Sequence, residues 1–120
     1  MPNEAEAITI RFAEDFEANL YAIAKRYRSI RNDVQPVIEQ IQAGNFIGDR
    51  IPGMGEDYII LKVPVKNSNI QKGKSAGYRM IYQVESPSIV LLLTIYSKSD
   101  RTDISLNEIR SIIAEFDESQ

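Results

Sequence analysis

Residues 77–96 read GYRMIYQVESPSIVLLLTIY, and this stretch decides the fold. Apolar side chains fill most positions of 77–84 and of 89–96. The Ser86-Pro87-Ser88 sequence between them favours a turn. Two apolar runs separated by such a short connection predict a β-hairpin with antiparallel strands.

A third strand is predicted just before the hairpin. Residues 58–66 alternate between apolar and more polar positions, the period of a half-buried strand. Pro64 has no N–H to donate within a sheet, so this strand is expected at an edge. The apolar positions, expected to face the core, are Ile59, Leu61, Val63 and Val65.

Helical patterns precede and follow these strands. After a short strand near Ile8–Phe12, apolar residues recur at helical spacing over 16–27. A second helix is predicted from about Asp33 to Ala43, with Pro36 in its first turn. Ser105-Leu106-Asn107-Glu108 is a capping box that opens a last helix. The order β-α-α-β-β-β-α over residues 1–120 predicts a single α+β domain, with a mainly antiparallel four-stranded sheet and helices on one face.

Composition limits the chemistry that is available. The 120 residues include no cysteine and no histidine, so catalysis would have to use Lys, Arg, Tyr, Asp or Glu. The first residues are acidic, unlike a secretory signal, and no apolar run is long enough for a membrane span. We therefore expect a cytoplasmic protein with no metal and no cofactor.

The net charge of −3 hides an uneven distribution. Residues 1–57 carry six Lys/Arg and ten Asp/Glu, whereas residues 58–99 carry six Lys/Arg and a single Glu. Local potential decides where an anion binds. The basic segment is either an anion-binding surface or a solvated sheet face with lysine-rich loops, and charge alone leaves both open.

Strand alternation predicts which side chains face away from the core. With Tyr78, Met80, Tyr82 and Val84 inward on one hairpin strand, Arg79 and Gln83 point outward. With Ile89, Leu91, Leu93 and Ile95 inward on the other, Thr94, Tyr96 and Lys98 point outward, beside Lys62 and Lys66 of the preceding strand. A basic surface that contains an aromatic ring suits a single-stranded phosphate backbone and a stacked base.

Three motifs together resemble the HigB-like branch of the RelE/ParE toxins. The first is Gly44-x-x-x-Gly48-Asp49-x-Ile51-x-Gly53, and the second is KGKSAGYRMIY at 72–82. The third is LLTIYSKSD at 92–100. The similarity covers roughly residues 8–115. It implies the toxin of a type II toxin–antitoxin system, a ribosome-dependent mRNA endonuclease (mRNA interferase) that inhibits translation without a metal. The implied partners are a cognate antitoxin of the helix-turn-helix type, the ribosome and mRNA.

The resemblance also implies site residues. Arg79 matches the strand arginine that contacts the scissile phosphate, and Lys98 matches the basic residue near the end of the last strand. Lys72 and Lys74 lie where relatives place further basic residues, and one lysine with a lowered pKa would transfer protons. The predicted catalytic residues are therefore Arg79, Lys98, Lys74 and Lys72, and the predicted RNA contacts are Lys62, Lys66, Tyr96 and Arg101.

The sequence departs from RelE at two positions and leaves alternatives open. RelE has an arginine and a tyrosine beyond the last strand, where this chain has Ser99 and Ser105. A ParE-like inhibitor of DNA gyrase without nuclease activity would share the fold, as would a non-toxic homologue that binds RNA or a partner. Arg79 could instead pair with Glu85 or Asp100, and the loop lysines could serve solubility.

Overall fold

In the computed structural model, which describes residues 7–70 and 77–120, three helices surround one mixed sheet. The strand order is β1-β5-β4-β3-β2, with β1 parallel to β5 and the other pairs antiparallel. The elements are β1 (Thr9–Phe12), α1 (Glu14–Arg26), α2 (Ile30–Gln42), β2 (Asp49–Arg50), β3 (Ile59–Val65), β4 (Tyr78–Ser86), β5 (Ile89–Ser97) and α3 (Leu106–Glu118).

The predicted α+β class and the hairpin are confirmed, but the sheet has five strands rather than four. The additional strand β2 pairs Asp49 with Lys62 and Arg50 with Leu61. Two residues are too few to show a period, so alternation could not reveal this strand. Since β2 covers only this part of β3, Pro64 lies beyond it on the sheet edge.

The helices cover both faces of the sheet, so the prediction that they lie on one face is wrong. On the first face, α1 and α2 bury Phe16, Ile30 and Val34 against Val63, Met80 and other inward residues of the strands. On the second face, α3 packs against β3, β4 and β5. That second core contains Ile60, Ile81, Leu91, Leu93, Tyr96, Ile109, Ile112 and Ile113. The central strands are apolar on both sides, and both sides therefore need cover.

A β-bulge in β5 explains why its predicted facing is right at Ile95 but wrong at Leu91 and Leu93. Ile81 pairs with Thr94 whereas Tyr82 pairs with Leu92, so Leu93 is an extra residue in the ladder. An extra residue reverses the alternation beyond it. Leu93 consequently packs under α3 while Ile95 joins the first core.

Three other facing predictions are also corrected. Ile59 was expected inward, yet 39% of it is exposed. Thr94 and Gln83 were expected outward, yet both are buried. The Thr94 hydroxyl donates to Asp15 Oδ2 at 2.6 Å, which gives this buried polar group a partner on α1.

The inward set on β4 is as predicted at its first three positions. Tyr78, Met80 and Tyr82 are fully buried in the first core. The Tyr82 hydroxyl donates to the Ile47 carbonyl oxygen, and burial raises the pKa of this phenol to about 12. Tyr78 and Tyr82 therefore have a structural role in the first core.

Helix α2 begins at Ile30, earlier than the predicted start at Asp33. Pro36 is consequently the seventh residue of the helix and not part of its first turn. Ile30 is fully buried, so packing on the sheet extends the helix toward its N-terminus. Helix α3 has the predicted capping box: Ser105 Oγ accepts from the Glu108 N–H, and the Glu108 carboxylate accepts from the Ser105 N–H. Within the described residues, no helix is long and apolar enough to span a membrane.

Candidate nucleic-acid interface

Register places the predicted site residues of three strands on one face of the sheet. Arg79 of β4 pairs with Pro64 on one side and with Tyr96 on the other. Lys62 pairs with Ile81, which belongs to the second core. Cross-strand partners share a face, so Lys62, Arg79 and Tyr96 all lie on the face that carries α3.

Lys98 joins this group at the end of the hairpin. Its N–H donates to the Gly77 carbonyl at 2.9 Å, and its Nζ donates to the Thr102 carbonyl at 3.2 Å. The backbone approaches closely here, since a Cβ on Gly77 would lie 2.2 Å from the Val65 carbonyl oxygen. Glycine at position 77 therefore permits the strand contact that places Lys98.

Arg101 extends from the β5–α3 loop across the Tyr96 ring. The guanidinium carbon lies 5.3 Å from the ring centroid, within the range of a cation–π contact. Its Nε donates to the Asp103 carbonyl at 2.9 Å, and its two terminal nitrogens contact the Glu108 carboxylate at 2.7 and 3.1 Å. We call Lys62, Arg79, Lys98 and Arg101 the basic cluster.

Two carboxylates lie inside the basic cluster. Asp103 Oδ1 is 3.4 Å from Lys62 Nζ, and the Glu108 carboxylate accepts two hydrogen bonds from Arg101. The Ile104 N–H and the charges of Lys62 and Lys98 hold the pKa of Asp103 below its usual value. The hydrogen bonds from Arg101 and from the Ser105 N–H likewise lower the pKa of Glu108. Both carboxylates thus remain charged at neutral pH and offset part of the positive charge.

Tyr96 lies beneath these charged groups and is only 6% exposed. Its hydroxyl has no hydrogen-bond partner within the described part of the chain. Burial is the main reason that the pKa of this phenol is raised. The stacking role predicted for Tyr96 would require Arg101 to move off the ring.

Arg79 is partly buried, and its Nη1 donates to the Tyr78 carbonyl at 3.1 Å. It is close enough to Tyr96 to act electrostatically on the phenol. Asp100, one of the two alternative partners of Arg79, pairs with Arg26 at 3.0 Å. Its strand register with Tyr96 places Arg79 in the basic cluster.

Three further residues were predicted for the site. Lys66 follows β3 and is exposed. Lys72 and Lys74 lie outside the described residues. Sequence reasoning missed Asp103 and Glu108 as part of the site; the capping box did single out Glu108, but for its backbone role only. In ranges 7–70 and 77–120, no cluster of three His, Cys, Asp or Glu residues could hold a metal ion.

These observations define the class of the protein: an α+β fold with a mixed sheet and a basic cluster beside the last helix. Neither the family models nor the curated proteins that were compared match the sequence. Among solved structures, the chain is similar to a mutant of the E. coli toxin RelE, with two arginines changed to alanine, in the free state. The identity is 17%, the match covers 92% of this chain and 97% of that one, and the TM-score is 0.54. The chain therefore has a RelE-like fold.

Proposed function

We propose that the protein is the toxin of a type II toxin–antitoxin system and cleaves mRNA on the ribosome. It would belong to the RelE/ParE superfamily, in its HigB-like branch, and act in the cytoplasm. The observation that carries the proposal is the basic cluster, which combines cations from β3, β4 and the β5–α3 loop on a RelE-like fold.

The chemistry is a transfer within the RNA itself. The 2′-hydroxyl oxygen attacks the adjacent phosphorus, and the bond from phosphorus to the 5′-oxygen of the next nucleotide breaks. The products are a 2′,3′-cyclic phosphate and a 5′-hydroxyl. A base must remove the 2′-hydroxyl proton and an acid must protonate the departing oxygen. Negative charge grows on the phosphoryl oxygens during the attack, so cations placed there stabilise the transition state.

The proposal assigns each cation a task. Arg79 would contact two phosphoryl oxygens, because a planar guanidinium suits two oxygens at once. Lys98 would neutralise or protonate the departing oxygen. Lys62, Lys66 and Arg101 would hold neighbouring phosphates. Lys72 and Lys74 remain predicted catalytic residues outside the described ranges.

Partners follow from the same proposal. A cognate antitoxin, of the helix-turn-helix type, would neutralise the toxin, and the ribosome with its mRNA would be the target. The test is induced expression in bacteria with transcript ends mapped by sequencing. New 5′ ends within translated regions, lost in Arg79→Ala, support cleavage. Growth arrest without new ends contradicts it, and absence of any arrest supports a non-toxic homologue.

A ParE-like gyrase inhibitor is the second candidate. Lys62 and Arg101 are engaged by carboxylates of the same chain, and Tyr96 is buried, so the basic cluster offers less charge than its cation count indicates. A supercoiling assay with purified gyrase separates the candidates. Inhibition of supercoiling by the purified protein, with translation extracts unaffected, would favour this second function.

A further inference from the structure

The two carboxylates of the basic cluster occupy positions that suit phosphate oxygens. Glu108 places one oxygen on each terminal nitrogen of Arg101, at 2.7 and 3.1 Å. This two-bond fork is also how arginine binds a phosphate group. Asp103 lies on the Lys62 ammonium at 3.4 Å. While these contacts persist, a phosphate cannot form the same two-bond contact with Arg101, and Asp103 offsets part of the charge of Lys62.

Both ion pairs are weak enough to be displaced. The side chains of Lys62 and Asp103 are 33% and 67% exposed, and those of Arg101 and Glu108 are 41% and 47% exposed. Ion pairs with this much solvent contribute little to stability. A polyanion that brings several phosphates at once can therefore replace them.

The Tyr96 hydroxyl is a third group at the same place. The Tyr96 hydroxyl is buried beneath Arg101 and makes no hydrogen bond to the described residues. Buried hydroxyls normally have a partner. If Arg101 leaves Glu108 and moves off the ring, this hydroxyl becomes available as a donor to an incoming oxygen.

We propose that Asp103 and Glu108 set the anion affinity of the protein by occupying Lys62 and Arg101 in place of RNA phosphates. The inference rests on the proposed function for the identity of the ligand as RNA. It assigns the two carboxylates a role in controlling affinity, separate from the chemistry of cleavage.

The test uses Glu108→Gln and Asp103→Asn, alone and combined, in the full chain. Glu108→Gln can still complete the capping box and Asp103→Asn can still accept from the Ile104 N–H, so both substitutions remove charge while these hydrogen bonds to the backbone can persist. Glu115→Gln is the matched control, since it makes the same charge change on an exposed position of α3. Circular dichroism checks that each variant is folded.

Binding is measured by fluorescence anisotropy with a labelled single-stranded RNA decamer, and by calorimetry with inorganic pyrophosphate. We expect each site variant to bind about three- to tenfold more tightly than wild type, and Glu115→Gln to differ by less than twofold. Equal affinities for the site variants and the control would overturn the inference.

The two probes separate this inference from the proposed function. The site variants could bind pyrophosphate more tightly than wild type and the control do, while no variant binds RNA or cleaves transcripts. In that case control of anion affinity by the carboxylates stands and the nuclease function fails. If transcripts are cleaved but Glu108→Gln and Asp103→Asn bind both probes as the control does, the function stands and the inference fails.

Discussion

Glu108 accepts two hydrogen bonds from the guanidinium of Arg101, at 2.7 and 3.1 Å, while it also accepts the Ser105 N–H at 3.3 Å. One carboxylate thus belongs both to the helix cap of α3 and to the basic cluster. The start of α3 and the position of Arg101 are coupled through this single side chain.

The first prediction concerns pH. Because Arg101 lowers the pKa of Glu108, we expect its titration midpoint below the ordinary glutamate value of about 4.3. The contribution of the charged Glu108 side chain to the stability of the fold is fully present above its unfolded-state pKa. This contribution is lost as pH falls through the lower folded-state pKa. Arg101→Ala should move the midpoint upward, as measured by side-chain carboxyl NMR. An unchanged midpoint in Arg101→Ala would show that the fork does not persist in solution.

The second prediction concerns Arg79. Arg79→Ala should abolish growth inhibition while the fold remains intact, because the proposed charge-assisted contact to the scissile phosphate would be lost. The expected loss is on the order of 2–4 kcal/mol of transition-state stabilisation. Arg110→Ala is the control, since that arginine donates to the Gly53 carbonyl from α3. A folded Arg79→Ala protein that remains fully toxic would refute the site assignment.

The third prediction tests the second core. Leu93 is fully buried under α3, whereas Ile59 is 39% exposed. Leu93→Ala should lower the free energy of unfolding by about 3 kcal/mol, because it leaves a cavity. Ile59→Ala should cost about 1 kcal/mol or less. Denaturant unfolding measures the free energy of unfolding of both variants. Equal losses for Leu93→Ala and Ile59→Ala would contradict the packing of helices on both faces of the sheet.

The fourth prediction concerns two glycines. A Cβ at Gly77 would meet the Val65 carbonyl oxygen at 2.2 Å, so Gly77→Ala should destabilise the protein by about 3 kcal/mol and disturb Lys98. Gly55 has open space but a φ of +98°. Gly55→Ala should therefore cost only about 1–2 kcal/mol, from backbone strain. The two values come from the same unfolding experiment, and a smaller cost at Gly77 would contradict the close strand contact.

Much of the fold was predictable because its signals are local. The hairpin over 77–96, the capping box at Ser105 and the alternation on β3 each depend on residues within a few positions of one another. Alternation at Lys62 and Arg79 also indicated the face on which the basic residues lie. The burial of Tyr78 and Tyr82 followed from the same period.

The remaining features depend on contacts between distant residues. The bulge at Leu93 arises from the pairing of β5 with β4, and it alone decides which side of the sheet Ile95 occupies. The cover of the second face by α3 buries Tyr96, although the sequence places that tyrosine at an outward position. Asp103 reaches Lys62, 41 positions earlier in the chain, only because the β5–α3 loop lies against β3. The sequence by itself determined most of the helices and strands and the sign of the charge on one face, since both depend on local patterns. The tertiary structure decided how much of that charge is already neutralised, because ion pairing depends on distances across the fold.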